Sequence, residues 1–251
     1  MKIISLLNIK GGVAKTVSTV NIAAELGNSG KRVLVLDLDP QSNSTKYLDC
    51  YSHDNASMYE LLRGEDNNYI KDTEYEGVFI VPANIRLILA EPEILSDTRK
   101  ARETRLKKWV KTIDGQFDYV LIDCPPALGM LTTNALAASE YVLVPIKIDK
   151  FALDGFQYLL SSIEEAREEF NENLKFLGAF ITMDKATNIN KEIKSELRDA
   201  LGTKFFNQTI RDNVEVVKST FDSIPLAYCN PNANAAKDYK ALVREIESCL
   251  I

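Results

Sequence analysis

Residues 2–28, KIISLLNIKGGVAKTVSTVNIAAELGN, decide the fold of this chain. The stretch begins with an apolar run of strand length (2–9), turns at Gly11 and Gly12, and continues in a helical pattern from about Lys15 to Asn28. A strand, a glycine-rich turn, Lys-Thr and a helix form the context in which a loop binds phosphates. Successive backbone N–H groups surround the anion there, and the helix start adds its positive dipole end. The sequence therefore predicts a phosphate-binding loop.

Apolar runs of strand length alternate with helical patterns along the rest of the chain. The runs cover 32–39, 78–84, 119–126, 141–147 and 176–183, and helical patterns lie near 99–113, 129–139, 152–171, 190–201 and 233–250. Strands that are apolar throughout are typical of a parallel sheet covered by helices on both faces. We predict an α/β fold with one doubly wound, mostly parallel sheet, in a single domain spanning residues 1–251. Ligands are expected at the carboxyl ends of its strands.

The composition favours an ordinary globular protein of a reducing compartment. The chain has 251 residues, of which 45% are hydrophobic and 26% charged, and its net charge is −6. The four cysteines are widely scattered and there is one histidine, so a zinc site is not expected. No apolar run approaches the roughly eighteen residues of a membrane span, and the amino-terminal run indicates a first strand rather than a signal peptide. We expect a cytoplasmic protein.

Three side chains in this pattern have a role that the motif chemistry suggests. Lys15 is placed to reach the β- and γ-phosphates of a nucleotide, and the Thr16 hydroxyl to bind Mg²⁺. Asp123 ends an apolar strand, a position from which a carboxylate reaches Mg²⁺ directly or through water. The plainer alternatives are a glycine turn with incidental lysines and a strand-end aspartate that caps the next turn.

The loop departs from the ordinary GxxxxGK[ST] pattern, whose two glycines would fall on Ile9 and Ala14. It reads K-G-G-x-x-K-T instead, with Lys10 ahead of the glycine pair, and so resembles the deviant Walker A motif of the ParA/MinD family of ATPases. VLVLDLDPQSNST (33–45) resembles the second motif and first switch of that family, and DYVLIDCPPALGMLTTNAL (118–136) its Walker B strand and second switch. The resemblance is greatest to the ParA/Soj branch, which acts in DNA partition.

The resemblance implies Mg-ATP as the ligand and assigns roles around it. Asp39 is expected to orient the attacking water and is also a candidate residue of the Mg²⁺ site. Asp37 is expected to support the Mg²⁺ shell, with a loop-capping role equally open. Lys10 is expected to cross to the partner's nucleotide in an ATP-sandwich homodimer, the alternative being a solvated loop lysine. The residues expected to bind the nucleotide are Lys10, Gly11, Gly12, Val13, Ala14, Lys15, Thr16 and Val17.

The segment IRDNV (210–214) resembles the purine-side loop of these ATPases. Asp212 or Asn213 could therefore bind the adenine amino group. Aspartate and asparagine are also common in any turn, so a purely structural role remains equally open.

The function that the resemblance implies is that of a ParA-like ATPase in plasmid or chromosome partition. Such a protein hydrolyses ATP slowly, binds nonspecific DNA in its ATP form, associates with the nucleoid in that state, and is stimulated by a ParB-like partner. Basic side chains that could contact DNA phosphates are Lys185, Lys191, Lys194, Arg198 and Lys218. Exposed charges on helices more often serve only solvation, and that alternative stays open.

Two other classes of function compete with DNA partition. A MinD-like positioning ATPase would need a basic amphipathic tail for anionic lipid, whereas YKALVREIESCLI (239–251) is mixed in charge, so no stable membrane anchor is expected. A small-molecule ATP-dependent enzyme on the same scaffold would be expected to carry substrate-binding insertions. A nitrogenase-type electron carrier would need cluster cysteines near the second switch, where Cys124 stands alone.

Ala14 raises a separate question about the loop. A phosphate-binding nest alternates right- and left-handed backbone conformations, and glycine is favoured at the left-handed positions. If residue 14 is left-handed, alanine there costs about 1–2 kcal/mol. We expect a functional loop that binds ATP less tightly than a loop with glycine at residue 14 would.

Overall fold

All the described strands except the two-residue edge strand at Lys71–Asp72 form where the sequence predicts buried apolar runs. The computed structural model describes residues 1–54, 56–65, 67–149 and 152–250, and for 152–154 it describes the backbone only. Within these residues the strands are β1 (Lys2–Leu6), β2 (Val33–Asp37), β3 (Lys71–Asp72), β4 (Val78–Val81), β5 (Tyr119–Asp123), β6 (Tyr141–Lys147) and β7 (Lys175–Thr182). The predicted runs at 2–9, 32–39, 78–84 and 119–126 end earlier than expected, because each chain segment turns into a loop at the carboxyl edge of the sheet.

The seven strands lie in the order β3-β4-β2-β5-β1-β6-β7. Neighbouring strands pair in parallel, except that β3 runs antiparallel to β4 at the edge. Asp123 is opposite Leu6 on one side and Asp37 on the other. The phosphate loop and both aspartates therefore meet at one edge of the sheet, as expected for a doubly wound fold.

The helices cover both faces of this sheet. They are α1 (Lys15–Asn28), α2 (Asn43–Tyr47), α3 (Met58–Arg63), α4 (Ala90–Ser96), α5 (Arg105–Val110), α6 (Met130–Ala138), α7 (Ala152–Glu169), α8 (Asn188–Leu201), α9 (Val214–Phe221), α10 (Leu226–Cys229) and α11 (Asn234–Cys249). The helix predicted near 99–113 begins only at Arg105 and ends in the 3-10 turn Lys111–Ile113. The short helices α2, α3, α4, α9 and α10 are not predicted from the sequence, because a helix of four to eight residues shows too few turns for a clear helical period.

The side chains of β2 show why both faces are covered. Leu34 and Leu36 pack into one hydrophobic cluster together with α3, α5 and α6, whereas Val33 and Val35 pack into a second cluster with α1 and α11. Because successive side chains of a strand point to opposite faces, a strand apolar at every position must be buried on both. The predicted α/β fold with a mostly parallel sheet is confirmed.

Candidate nucleotide-binding site

The loop between β1 and α1 has the backbone shape of a phosphate-binding nest. Gly12 has φ 71° and Ala14 has φ 63°, so both lie in the left-handed region and alternate with their neighbours. Ala14 is also the residue that immediately precedes α1, with ψ 31°. This alternation turns successive N–H groups toward one side, where an anion can accept from them. The conformation that made alanine costly at residue 14 is therefore present.

Replacement of Ala14 by glycine should stabilise the protein. The left-handed conformation costs alanine about 1–2 kcal/mol, and the extra freedom of glycine in the unfolded chain returns roughly half of that. We expect a gain in unfolding free energy of about 1 kcal/mol for Ala14→Gly, measured by urea denaturation, and tighter ATP binding by calorimetry because the methyl group is gone. Ala24→Gly, inside α1, should have the opposite sign. Destabilisation by Ala14→Gly would contradict the conformation described for the loop.

Lys15 is the buried cation of the loop. Its side chain turns back so that Nζ donates hydrogen bonds to the carbonyl oxygens of Asn8, at 2.9 Å, and Lys10, at 3.1 Å. Burial lowers the pKa of Lys15, and the nearby Asp123 partly offsets that effect. A cation held at this point, with few solvent contacts, interacts strongly with an anion in the nest.

Asp123 has the arrangement expected of a carboxylate that faces a metal ion. Its Oδ2 accepts hydrogen bonds from the hydroxyls of Thr16 and Ser44, each at 2.8 Å. Its Oδ1 is buried and has no hydrogen-bond partner. Burial raises the pKa of Asp123, against the lowering effect of the two hydroxyls. An unpartnered buried carboxylate oxygen is costly, and a bound cation beside it would remove that cost. The donor set fits Mg²⁺, which takes few carboxylates and keeps waters and phosphate oxygens.

Asp37 serves the first-switch segment in the structure. Oδ1 accepts from the backbone N–H of Asp39 at 3.1 Å, and Oδ2 accepts from the N–H and the hydroxyl of Thr45, at 2.9 and 2.6 Å. Burial, with the neighbouring Asp123, raises the pKa of Asp37. Among the described residues, no three His, Cys, Asp or Glu side chains form a group that could hold a metal. The contacts of Asp37 within this structure are those of the loop-capping alternative.

Asp39 lies just beyond the end of β2 and not on the strand itself. The Asp39 side chain turns within its own loop, where Oδ1 accepts from the backbone N–H of Gln41 at 2.9 Å, and only 9% of the residue is exposed. The preceding residue, Leu38, donates its backbone N–H to the carbonyl oxygen of Asp123 at 3.0 Å, so the chain reaches Asp39 at the sheet edge that carries Asp123.

Lys10 forms an ion pair with Asp149, which follows the carboxyl end of β6. Both side chains are about one third exposed, at 38% and 33%. An ion pair of this exposure contributes at most about 1 kcal/mol, so a stronger anion can replace Asp149. Within one chain, then, Lys10 contacts a carboxylate outside the loop and not the nest.

The purine-side candidates lie in the turn before α9. Asn213 precedes the helix and its Oδ1 accepts from the N–H of Glu215 at 2.9 Å, which is a helix-capping contact. Asp212 is exposed and lies 3.3 Å from Lys185 Nζ. Asn213 therefore has the structural role that the sequence left open, since its side chain caps α9.

The basic candidates for DNA contact divide into two groups. Lys191, Lys194 and Arg198 are three and four residues apart on α8 and so share one helix face. Lys194, however, forms an ion pair with Asp184 at 2.7 Å, and Lys185 forms one with Asp212 at 3.3 Å. Lys191, Arg198 and the α9 residue Lys218 are exposed and have no ion-pair partner among the described residues, and Arg198 lies over the ring of Phe205.

Three side chains of α2 contact the site or hold this helix in place, and none of them was predicted from the sequence. Ser44 contacts Asp123, Thr45 contacts Asp37, and the Tyr47 hydroxyl contacts Ser219. The signal was the hydroxyl-rich segment SNST (42–45) soon after Asp39, because serine and threonine are well suited to bond neighbouring carboxylates.

Comparison with known proteins agrees with this geometry. Residues 1–176 match the family model described as AAA domain. The chain is 35% identical over 249 residues to the sporulation initiation inhibitor protein Soj of Bacillus subtilis, covering 98% of both proteins. It is 34% identical to the chromosome-partitioning ATPase Soj of Treponema pallidum, covering 98% of this chain and 96% of that protein. The chain belongs to the Soj/ParA family of P-loop ATPases.

A solved structure extends the likeness to the nucleotide. Cobyrinic acid a,c-diamide synthase from Mycobacterium smegmatis, with bound ATP analogue and magnesium, superposes with a TM-score of 0.83 at 31% identity, covering 97% of this Soj/ParA chain and 93% of the other. Nucleotide and magnesium binding is thus found on this scaffold. In the described part of the chain, no helix is both long and apolar enough to cross a bilayer.

Proposed function

We propose that this chain is a single-domain partition ATPase that binds Mg-ATP, closes into a homodimer over it, and in that form holds nonspecific DNA. The observation that carries the proposal is the meeting of three motifs at one sheet edge. The loop with Lys15, the strand-end Asp123 and the first-switch Asp39 belong to three different strand ends, and the parallel sheet brings them together.

The chain's own residues would divide the work at this edge. The nest and Lys15 bind the phosphates, the Thr16 hydroxyl and Asp123 hold the metal shell, and Asp39 accepts from and orients the attacking water. Bound Mg²⁺ would neutralise charge on the phosphate oxygens. Asp37 contributes indirectly, since it fixes Thr45 and the backbone of Asp39. Asp212 or Asn213 would bind the adenine amino group.

The position of Lys10 is our reason for proposing both a dimer and a slow basal rate of hydrolysis. Lys15 already serves the nucleotide of its own chain, so a second cation is useful where charge develops during phosphoryl transfer in the partner's site. The ion pair with Asp149 keeps Lys10 away until the partner's triphosphate competes for it. We propose that a ParB-like protein raises turnover from this low basal rate.

DNA binding should depend on ATP and on salt. With Lys191, Arg198 and Lys218 contacting phosphates in both subunits, about six contacts give a slope of log K against log salt near −5. Fluorescence anisotropy with a random-sequence duplex should show retention in Mg-ATP and little in ADP. Lys191→Ala and Arg198→Ala should each remove one contact from each subunit and so make the slope shallower by about two. The control Lys240→Ala, on α11, should not.

If the wild-type chain retains no DNA at low salt with Mg-ATP, a different cargo is the better hypothesis. The likeness to a diamide synthase gives that alternative its specific form, a small-molecule enzyme using ATP. ATP turnover that responds to a carboxylic acid and an amine donor, and not to DNA, would favour it.

A further inference from the structure

Helix α2 is joined to the rest of the protein through its three buried side chains. Ser44 and Thr45 are fully buried, and Tyr47 is 4% exposed. Ser44 donates to Asp123 and Thr45 to Asp37, whereas the Tyr47 hydroxyl bonds with Ser219. One end of the helix therefore touches the metal carboxylate and the other end touches α9.

The contact at Asp123 fixes the direction of its carboxylate. Thr16, on α1, and Ser44, on α2, both donate to Oδ2 at 2.8 Å. Two donors on one oxygen restrict rotation of the group, and the other oxygen, Oδ1, is left buried without a partner. Hydrogen bonds to a ligating carboxylate are a common means of orienting it toward a metal.

The contact at Tyr47 fixes the helix itself. The Tyr47 hydroxyl also accepts from Asn21 Nδ2 of α1 at 3.3 Å, and Asn21 Oδ1 in turn accepts from the backbone N–H of Leu226 at 2.8 Å. A helix of five residues has little stability of its own. Its position must therefore come from such contacts, and loss of the Tyr47 hydroxyl should let Ser44 move away from Asp123.

We propose that α2 positions the metal carboxylate, with Ser44 as the direct contact and Tyr47 as the remote anchor. Both are positioning residues. The proposal rests on the proposed Mg-ATP site. It adds that the Mg²⁺ dependence of nucleotide binding is set in part by a contact with Ser219, near the carboxyl end of α9.

The test is calorimetry of a non-hydrolysable ATP analogue in Mg²⁺ and in EDTA. The dissociation constant in EDTA divided by the dissociation constant in Mg²⁺ measures the contribution of Mg²⁺, and we call this quotient the Mg²⁺ ratio. Since a hydrogen bond to a charged group is worth a factor on the order of ten or more, Ser44→Ala should reduce this ratio by about tenfold. Tyr47→Phe should reduce it in the same direction, and neither should change affinity in EDTA.

Two matched variants control for loss of a buried hydroxyl. Ser5→Ala removes a fully buried hydroxyl that bonds with Ser139, and Tyr239→Phe removes one that bonds with Ser18 at 3.0 Å. Both should lower the unfolding free energy about as much as Ser44→Ala and Tyr47→Phe do. Both should nevertheless keep the Mg²⁺ ratio of the wild type.

A wild-type ratio in Ser44→Ala overturns the proposal, and so does an equal loss in Ser5→Ala and Tyr239→Phe. A wild-type ratio in Tyr47→Phe alone overturns the remote anchor. Asp123→Asn separates these outcomes from a failure of the site itself, because a wild-type ratio in that variant would show that the metal is held elsewhere.

Discussion

Asp39→Ala should bind ATP and stop hydrolysing it. Asp39 is nearly buried, follows β2, and is tied to its loop through Gln41, so its carboxylate is held at the edge where the phosphates are expected. Loss of a group that accepts from the attacking water costs a factor of about 100 or more in rate. We expect turnover, measured by phosphate release, to fall by at least that factor while the ATP dissociation constant stays within about threefold.

The matched variant is Asp39→Asn, whose side-chain oxygen can still accept from the Gln41 N–H. If the charge orients the water, both variants lose turnover and accumulate the ATP-bound dimer. If Asp39 only shapes its loop, the asparagine variant retains activity. Unchanged turnover in Asp39→Ala would move the water-positioning role to another residue.

Lys10→Ala should bind Mg-ATP normally but fail to dimerise on it. The Lys10 side chain contacts Asp149 within its own chain, outside the nest that we propose to bind the phosphates. A cation that stabilises the partner's nucleotide is worth a factor of about 1000 in turnover when it acts as an arginine finger does. We expect turnover to fall by a factor approaching that, with the dimer undetectable by light scattering at micromolar protein.

Lys147→Ala is the control, because Lys147 is an exposed lysine at the end of β6, two residues before Asp149. It should dimerise and hydrolyse ATP as the wild type does. A Lys10→Ala chain that dimerises normally with Mg-ATP would show that this lysine has no role across the interface.

The phosphate loop and the sheet could be predicted because their signals are local. The strand, the glycine pair, Lys15 and the helix follow one another within 27 residues, and each buried strand is apolar at nearly every position. Even the left-handed backbone at Ala14 follows from the alternation that a nest requires.

The contacts around the site could not be predicted in the same way, because they join distant parts of the chain. Ser44 meets Asp123 across 79 positions, Lys10 meets Asp149 across 139, and Tyr47 meets Ser219 across 172. One sequence contains no signal that pairs such residues. The role of Asp37 was left open for the same reason, since its choice between metal and loop depends on where Thr45 lies.

The short helices were missed for a different reason. α9 packs Val216 against the core but exposes Val214, Val217 and Phe221, so most of its apolar residues do not mark a buried face. α2 is five residues long and carries mainly hydroxyl groups inward. Helical periodicity identifies elements that bury a broad apolar face, whereas α2 and α9 bury little apolar surface beyond Tyr47 and Val216.

Sedimentation velocity of the wild-type chain in Mg²⁺ with a non-hydrolysable ATP analogue, compared with ADP, tests the central claim most directly. The claim is that two copies close over Mg-ATP. The account predicts a species of twice the 28.1 kDa chain mass with the ATP analogue and a single chain with ADP. A single chain in both solutions, under conditions where calorimetry shows that the ATP analogue is bound, would contradict it.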